Sequence, residues 1–405
     1  MIRLFDILSA GLLLVLLSPF LLVRAASAYR QTNTVFVSEI QLGYQQRPFK
    51  RLSFADDGTG KQLAVLINVL RGDLAWAGMR ALTPEQAARL PADALRHFDL
   101  KPGVVSAYST RKQIGLAYDD EFATDYGFFS KVSFKNYLGL CLRALIALVL
   151  GGGKPRPTPP ILHFWGVDIV NTTMAEALDW IEQRARQQQK ALVAFVNPAC
   201  LNIAYTDEAY RRVLQHAERV LPDGIGINIG CRLLNQALLA NVNGTDLFPR
   251  LCERAEQGGY SLYLLGGQAG VAELTATAMQ ECYPKLVIAG VRDGYFSDQE
   301  EPQVIDAINH SGAAVLLVGF GVPKQELWLA RCRERLQPTV CLGIGGLFDY
   351  YSGRIPRAPV WLREIGMEWS WRLMQEPGRM WKRYIIGNPL FLYRVWRQRQ
   401  QGVKL

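Results

Sequence analysis

The chain is poor in metal-binding signals. Its 405 residues include four histidines (His97, His163, His216 and His310), all scattered, and no Asp-x-Asp pair that could hold a divalent cation beside a diphosphate. No His/Cys cluster has ligand spacing either, so a structural zinc site is excluded. Seven cysteines (Cys141, Cys200, Cys231, Cys252, Cys282, Cys332 and Cys341) form no Cys-x-x-Cys pair. An odd, dispersed set argues against a disulfide framework and for a reducing compartment. Metal, cofactor and nucleic-acid motifs are all lacking, and the reading calls for none of the three.

Charge of one sign is concentrated at the end of the chain. The net charge is +9, and the stretch from Arg354 to Leu405 carries eleven Lys/Arg against three Glu, a net +8. Five of the nine tryptophans (Trp361, Trp369, Trp371, Trp381 and Trp396) lie in the same stretch. Cations interleaved with indoles suit a membrane surface, where tryptophan sits at headgroup level and the cations meet anionic lipid.

The other end is apolar. Ile7 to Val23, "ILSAGLLLVLLSPFLLV", runs for 17 residues without a charge. As one helix it would reach about 26 Å, against about 30 Å of hydrocarbon, and Ser18-Pro19 interrupts it. With Arg3 before it and Arg24 after it, a re-entrant hairpin with both ends on the cytoplasmic side is expected. A cleaved signal peptide is the alternative, on the Ala-x-Ala site in "AASA" at 25–28. Asp6, Arg24 and the thiol content speak against it.

"GGGKPRPTPP" at 151–160 reads as a linker, dividing a front domain (1–150) from a second domain (161–353) and the basic, Trp-rich appendage (354–405). In the second domain, apolar runs alternate with helical periodicity. The strands are "ALVAFVN" (191–197), "RVLPDG" (219–224), "YSLYLLGG" (260–267), "LVIAGV" (286–291), "AAVLLVGFG" (313–321) and "TVCLGIGG" (339–346). Continuous apolar strands separated by helices predict an α/β, Rossmann-like parallel sheet.

Polar residues then fall in one register: Asn197, Asp223, Gly266-Gly267, Asp293-Gly294-Tyr295, Gln325-Glu326 and Asp349-Tyr350 all stand at or just past strand ends. In an open parallel sheet those ends face one ligand crevice, and glycine turns there can present amides to phosphate. A dinucleotide-dependent dehydrogenase shares this fold. However, "GGQAG" is not Gly-x-Gly-x-x-Gly, and no acid ends the next strand to take a ribose.

Two resemblances sharpen the reading. In residues 1–150, "FDILSAGLLLVLLSPFLLV", "RPFK", "INVLRGDLAWAGMRAL", "LKPGVVSAY" and "DYGFFSKVSFKNYLGLCLRAL" resemble bacterial sugar transferases, which attach a sugar-1-phosphate to polyprenyl phosphate. That family's Asp-Glu pair, which holds metal and attacks the diphosphate, falls here on Lys61 and Gln62. A lysine cannot be the carboxylate nucleophile, and a glutamine brings no charge for Mg²⁺. The domain is therefore expected to be a small monotopic membrane anchor without its chemistry. Asp56 and Asp57 lie nearby but outside the pattern.

Residues 161–400 resemble the WecG/TagA/CpsF glycosyltransferases, through "VNPACLNIA", "LPDGIGI", "NGTDL", "LLGG", "RDGYF", "VGFGVPKQELW", "GIGGLFDYYSG", "RAPVWLREIGMEWSWRLMQEP" and "RMWKRYI" in order. The resemblance implies an inverting, metal-independent transfer from a UDP-sugar to a polyprenyl-diphosphate-linked sugar, in cell-envelope or exopolysaccharide synthesis. The expected location is the cytoplasmic face of the bacterial inner membrane, with membrane lipids as partners; a homo-oligomer is compatible with it. By resemblance Asp223 is the base, and Asn197, Thr245, Asp246, Tyr295 and Gln325 position the donor. Gly224, Gly226, Gly266, Gly267 and Glu326 complete the candidate binding set. Arg357, Arg363 and Arg372 of the tail are candidates to neutralise the departing diphosphate, since arginine grips two phosphate oxygens at once. A bifunctional enzyme whose front domain still primes undecaprenyl phosphate and a non-catalytic membrane scaffold are the competing readings.

The assignment of Asp223 is testable at once. Asp223→Asn keeps the shape and removes the proton acceptor, so turnover should fall about 10²–10⁴-fold while UDP binding survives. Near-normal turnover would remove Asp223 from the mechanism.

Overall fold

The computed structural model describes residues 1–90, 92–116, 120–151 and 156–402. Residues 152–155 of the expected linker lie outside them. The chain divides into two units: Met1–Gln113 with Asp119–Gly152, and Ile114–Tyr118 with Gly153–Leu405.

In the first unit two helices, Ile2–Leu16 and Ser18–Thr32, meet at Leu17 with a 71° bend. Pro19 sits in the first turn of the second helix, where its missing N–H has no partner to lose. Among the described residues no single helix is long and apolar enough to cross a membrane, but this bent pair passes the test of length and composition together.

The first helix has two unlike faces. Arg3 donates to the carbonyls of Val69 and Leu70, Tyr137 Oη donates to Asp6 at 2.7 Å, and Ser9 Oγ accepts from Trp76 Nε1. Opposite them, Leu4, Leu8, Leu12, Val15 and Leu16 are exposed. The polar side chains, three residues apart, thus dock the helix on its own unit, and its leucines face outward.

A hairpin (Phe36–Leu42 with Pro48–Phe54) and a small sheet of Ala75–Ala77, Met79–Arg80 and Pro102–Val105 complete the frame. Asp56 is buried and takes two hydrogen bonds from Arg24, at 2.7 and 2.5 Å, while the exposed Asp57 pairs with Lys61 at 2.7 Å. Neither acid is a free carboxylate.

The second unit is built on six parallel strands: β1 Ala191–Val196, β2 Arg219–Pro222, β3 Leu262–Gly266, β4 Ile288–Arg292, β5 Val315–Gly319 and β6 Val340–Gly343. Their order across the sheet is β4-β3-β5-β6-β1-β2. All six strands expected from the sequence are present, each end within three residues of its expected position. Alternate residues serve opposite cores. Val193, Phe195, Leu262, Leu264, Val315, Leu317, Val340 and Leu342 enter one, and Leu192, Ala194, Val196, Tyr263, Leu265, Leu316 and Val318 enter those on the other face. Because both faces are covered, the strands read as continuous apolar runs.

The adjacent strands β6 and β1 send their following helices to opposite faces: Leu347 and Phe348 join the first core, Cys200 and Leu201 the second. Such a divergence opens a crevice at the carboxyl edge of a parallel sheet.

The basic appendage is tied into the core of the second unit. Its last helix, Gly387–Gln400, places Phe391 and Val395 in the second core, both fully buried. A Cβ on Gly230 would stand 2.8 Å from the Phe391 ring, which also meets Phe164 and Trp165. Arg394 bonds Asn202 Oδ1 at 2.9 Å, and Asn202 Nδ2 donates to Gly387 O at 2.7 Å. Residues 354–386 therefore form a strap held at its far end by a core helix. Phe391→Ala should cost about 3–5 kcal/mol, read by urea unfolding. A loss under about 1 kcal/mol, the level of a surface change, would mean that the helix is peripheral.

Candidate active site

Asn197 ends β1 and caps the helix Pro198–Thr206. Its Oδ1 accepts from the amides of Ala199 and Cys200, at 3.1 and 3.2 Å, and from Cys200 Sγ at 3.3 Å. With the carbonyl side committed to the cap, the amide turns Nδ2 outward to donate to Asp223 Oδ2 at 3.2 Å. Asp223 ends β2, and its backbone amide donates to Val196 O at 2.8 Å, which ties the two strand ends together.

Burial pushes the Asp223 carboxyl above its ordinary range. The Asn197 hydrogen bond and the charges of Arg383 and Arg372 oppose this, and Asp246 adds to it. A partly buried carboxylate with one neutral donor and no direct ion pair is a better base than a solvated one.

The glycines beside it have separate reasons. Gly224 has φ +93°, a conformation that side chains avoid, with open space beyond its Cα and its amide bonded to Asn241 Oδ1. A Cβ on Gly226 would lie 2.3 Å from Pro198 Cγ, so packing fixes that glycine.

Across the crevice the turns after β3, β5 and β6 touch backbone to backbone. A Cβ on Gly266 would strike Gly319 at 2.7 Å, and Gly267 N donates to Gly319 O. The Gly267 amide is thus already engaged, which corrects the expectation of a free phosphate cradle there.

Gln325 is buried and joins two of these turns: its Oε1 accepts from Gly321 and Gly345 amides, at 3.2 and 2.9 Å, and its Nε2 donates to Glu326 Oε1 at 2.7 Å. Glu326 is fully buried. Burial pushes its carboxyl to about 7, and its Oε2 has no hydrogen-bond partner among the described residues. Both side chains brace the crevice from behind rather than line it. Tyr295, 73% exposed, stands at its outer rim. Thr245 gives its carbonyl to Tyr351 Oη at 2.6 Å.

The tail arginines separate. Arg357 is latched to Asp246, whose other oxygen accepts from Asn243 Nδ2, and it reaches Glu368 Oε1 at 3.5 Å. Burial opposes the Asp246 charge, but Arg357 and Asn243 outweigh it and hold the carboxyl below its usual range. Arg357 is therefore occupied as a latch between the strap and the helix Gly244–Gly258, instead of free for a diphosphate. Arg363 donates to Ala358 O within the strap.

Arg372 lies 5.6 Å from the Tyr350 ring and would meet a Cβ on Gly346 at 2.9 Å, close to the β6 turn. Sequence reading missed Arg383. Its Nε is buried without a hydrogen-bond partner among the described residues, and its charge acts on Asp223. The helix that carries Arg372 ends at Gln375 and a new one starts at Pro377, so no helical spacing in the sequence linked the two arginines. Among the described residues no group of three or more His, Cys, Asp or Glu side chains could share a metal ion.

Comparison with known proteins accords with this geometry. A profile of the glycosyl transferase WecG/TagA/CpsF family matches residues 162–404. The chain is 32% identical over 220 residues to the N-acetylglucosaminyldiphosphoundecaprenol N-acetyl-beta-D-mannosaminyltransferase of Bacillus subtilis (strain 168), covering 54% of this chain and 85% of that protein. It is 30% identical over 239 residues to the protein of the same description from Bacillus spizizenii (strain ATCC 23059 / NRRL B-14472 / W23), covering 59% and 91%.

The Asn197–Asp223 bond makes a signed prediction. Donation from Nδ2 favours the ionised carboxylate, so Asn197→Ala should raise the Asp223 pKa. The acid limb of the kcat/KM profile should then move to higher pH. An acid limb that stays in place would show that Asn197 does not act through Asp223.

Proposed function

The chain belongs to the WecG/TagA/CpsF family of glycosyltransferases, and from that premise we propose that it transfers a sugar from UDP to a polyprenyl-diphosphate-linked sugar, with inversion and without a metal. The Bacillus relatives act, by their descriptions, on N-acetylglucosaminyl-diphosphoundecaprenol and transfer N-acetylmannosamine. An acceptor of that chemistry and a donor sugar of the N-acetylmannosamine type, or another hexose, follow for this chain.

The observation that carries the reading is the partly buried Asp223 at the carboxyl edge of the sheet, held by Asn197. In the proposed reaction the acceptor hydroxyl attacks the anomeric carbon and passes its proton to Asp223 while the bond to UDP breaks. Arg372, beside the β6 turn, supplies the positive charge that the departing diphosphate needs; preplaced donors of this kind stabilise developing charge strongly. Arg357 contributes indirectly, by latching the strap that carries Arg372.

The bent apolar pair at the front and the exposed indoles at the end support attachment to the membrane's cytoplasmic face. There the front unit serves as an anchor, resembling a sugar-1-phosphate transferase that has lost its nucleophile. Lys61 stands where the family acid would be, and Asp56 is tied to Arg24. A tether of this kind raises the effective concentration of a lipid acceptor.

One assay addresses both units. Given a panel of UDP-sugars and a lipid-diphosphate-N-acetylglucosamine, the purified protein should release UDP and form a lipid-linked disaccharide, read by mass spectrometry. Given undecaprenyl phosphate and Mg²⁺ instead, it should release no UMP. UMP release that disappears in Asp57→Asn would establish a bifunctional enzyme with a relocated nucleophile.

A further inference from the structure

Three strap side chains, Glu368, Trp369 and Tyr384, and the guanidinium of Arg383 have no assigned part in the transfer so far. Trp369 and Tyr384 pair at 5.8 Å between ring centroids, and the Arg383 guanidinium lies 5.6 Å from the Tyr384 ring. Glu368 begins the helix Glu368–Gln375 beside Trp369 and touches Arg357 loosely, leaving its carboxyl 30% exposed.

These groups share one electrostatic neighbourhood with the base. Burial first, then the negative charges of Asp223 and Glu368, push the Tyr384 hydroxyl above its usual range, while Arg383 and Arg372 oppose them. The same stretch exposes apolar side chains beside Lys382: Trp381, Ile385 and Ile386 are 44%, 55% and 50% exposed. Glu368 stands one helical turn before Arg372, which sits at the β6 turn, so the strap carries aromatic, acidic and cationic groups at the crevice and exposed apolar ones close by in sequence.

We propose that Glu368, Trp369 and Tyr384 form the wall that binds the acceptor's reactive sugar, and that Arg383 holds the diphosphate joining that sugar to its lipid. This rests on the reading of the chain as a transferase to a lipid-diphosphate sugar. The chemistry of each group fits one part of such an acceptor. The C–H face of a pyranose buries against an aromatic plane. A carboxylate accepts charge-assisted hydrogen bonds from sugar hydroxyls. A guanidinium with a buried, unpartnered Nε suits a diphosphate oxygen.

The acceptor is favoured over the donor on two grounds. The base must face the acceptor hydroxyl, and these groups are the strap's contribution to the surroundings of Asp223. The exposed isoleucines and Trp381, next to Tyr384 in the chain, suit a polyprenyl chain or the bilayer holding it, and a UDP-sugar has no such part. The step balances: the acceptor oxygen bonds to the anomeric carbon, its proton goes to Asp223, and UDP leaves with the electron pair.

The test uses the full-length protein with a UDP-sugar and two acceptors bearing the same sugar, one a short-chain lipid diphosphate and one a simple glycoside without phosphate. Trp369→Ala and Glu368→Gln should raise KM for both acceptors roughly tenfold, with the Kd for UDP and the melting temperature unchanged. Trp369→Phe, which keeps a ring, should restore most of the loss. Arg383→Ala should abolish the preference for the diphosphate acceptor over the glycoside.

Weakened UDP binding with unchanged acceptor KM would reassign the wall to the donor. Unchanged kinetics in all variants would make it part of the fold only. Failure of the unaltered protein to release UDP with any donor would overturn the transferase reading itself, and the acceptor wall with it.

Discussion

The second unit depends on keeping one carboxylate half out of water without neutralising it. Asp223 has a neutral amide, Asn197, as its direct partner, and its nearest cations act through space. A direct arginine contact would hold the carboxyl low and make it a poor base, as Arg357 does to Asp246. Two neighbouring aspartates in one crevice are thereby set apart: Asp246 is a structural anion locked to the strap, and Asp223 is the group left able to take a proton. The Pro198 helix, whose cap fixes the Asn197 amide, and the Val196–Asp223 backbone bond are the parts that hold this arrangement.

The strap makes the crevice a property of the whole unit rather than of the sheet edge. It leaves the β6 side, is pinned by Arg357 to the helix Gly244–Gly258, sets Arg372 and Arg383 near the base, and ends in a helix buried by Phe391 and Val395. The net charge of +8 over residues 354–405 is therefore divided by function. Some cations are neutralised by carboxylates, others act on the crevice, and the remainder are exposed beside Trp381 and Trp396. In the first unit the same economy of polar groups is visible, with Arg3, Asp6 and Ser9 holding one face of a helix whose other face is leucine.

The sheet was legible in the sequence because each strand is buried on both sides and so reads as an unbroken apolar run. The bend near Pro19 was legible because proline cannot continue a helix interior, and the positions of Asn197 and Asp223 because parallel strands bring their carboxyl ends to one edge. Three features were not legible. Arg357 read as a phosphate ligand because its partner, Asp246, is 111 residues away, and no local pattern announces that pairing. The core role of the terminal helix was hidden because its Arg-rich composition masks the two buried residues, Phe391 and Val395. Gln325 and Glu326 read as ligand contacts because a strand-end position says where a residue lies, not which way its side chain turns.

The central claim is that Asp223 receives the proton of the attacking hydroxyl. The most direct measurement is a structure of the protein with UDP and an unreactive analogue of the lipid-diphosphate sugar bound together. The account predicts the reactive hydroxyl within about 2.6–3.2 Å of an Asp223 carboxylate oxygen, with Asn197 still donating to the other. A hydroxyl placed against a different side chain, with Asp223 beyond hydrogen-bond reach, would contradict it.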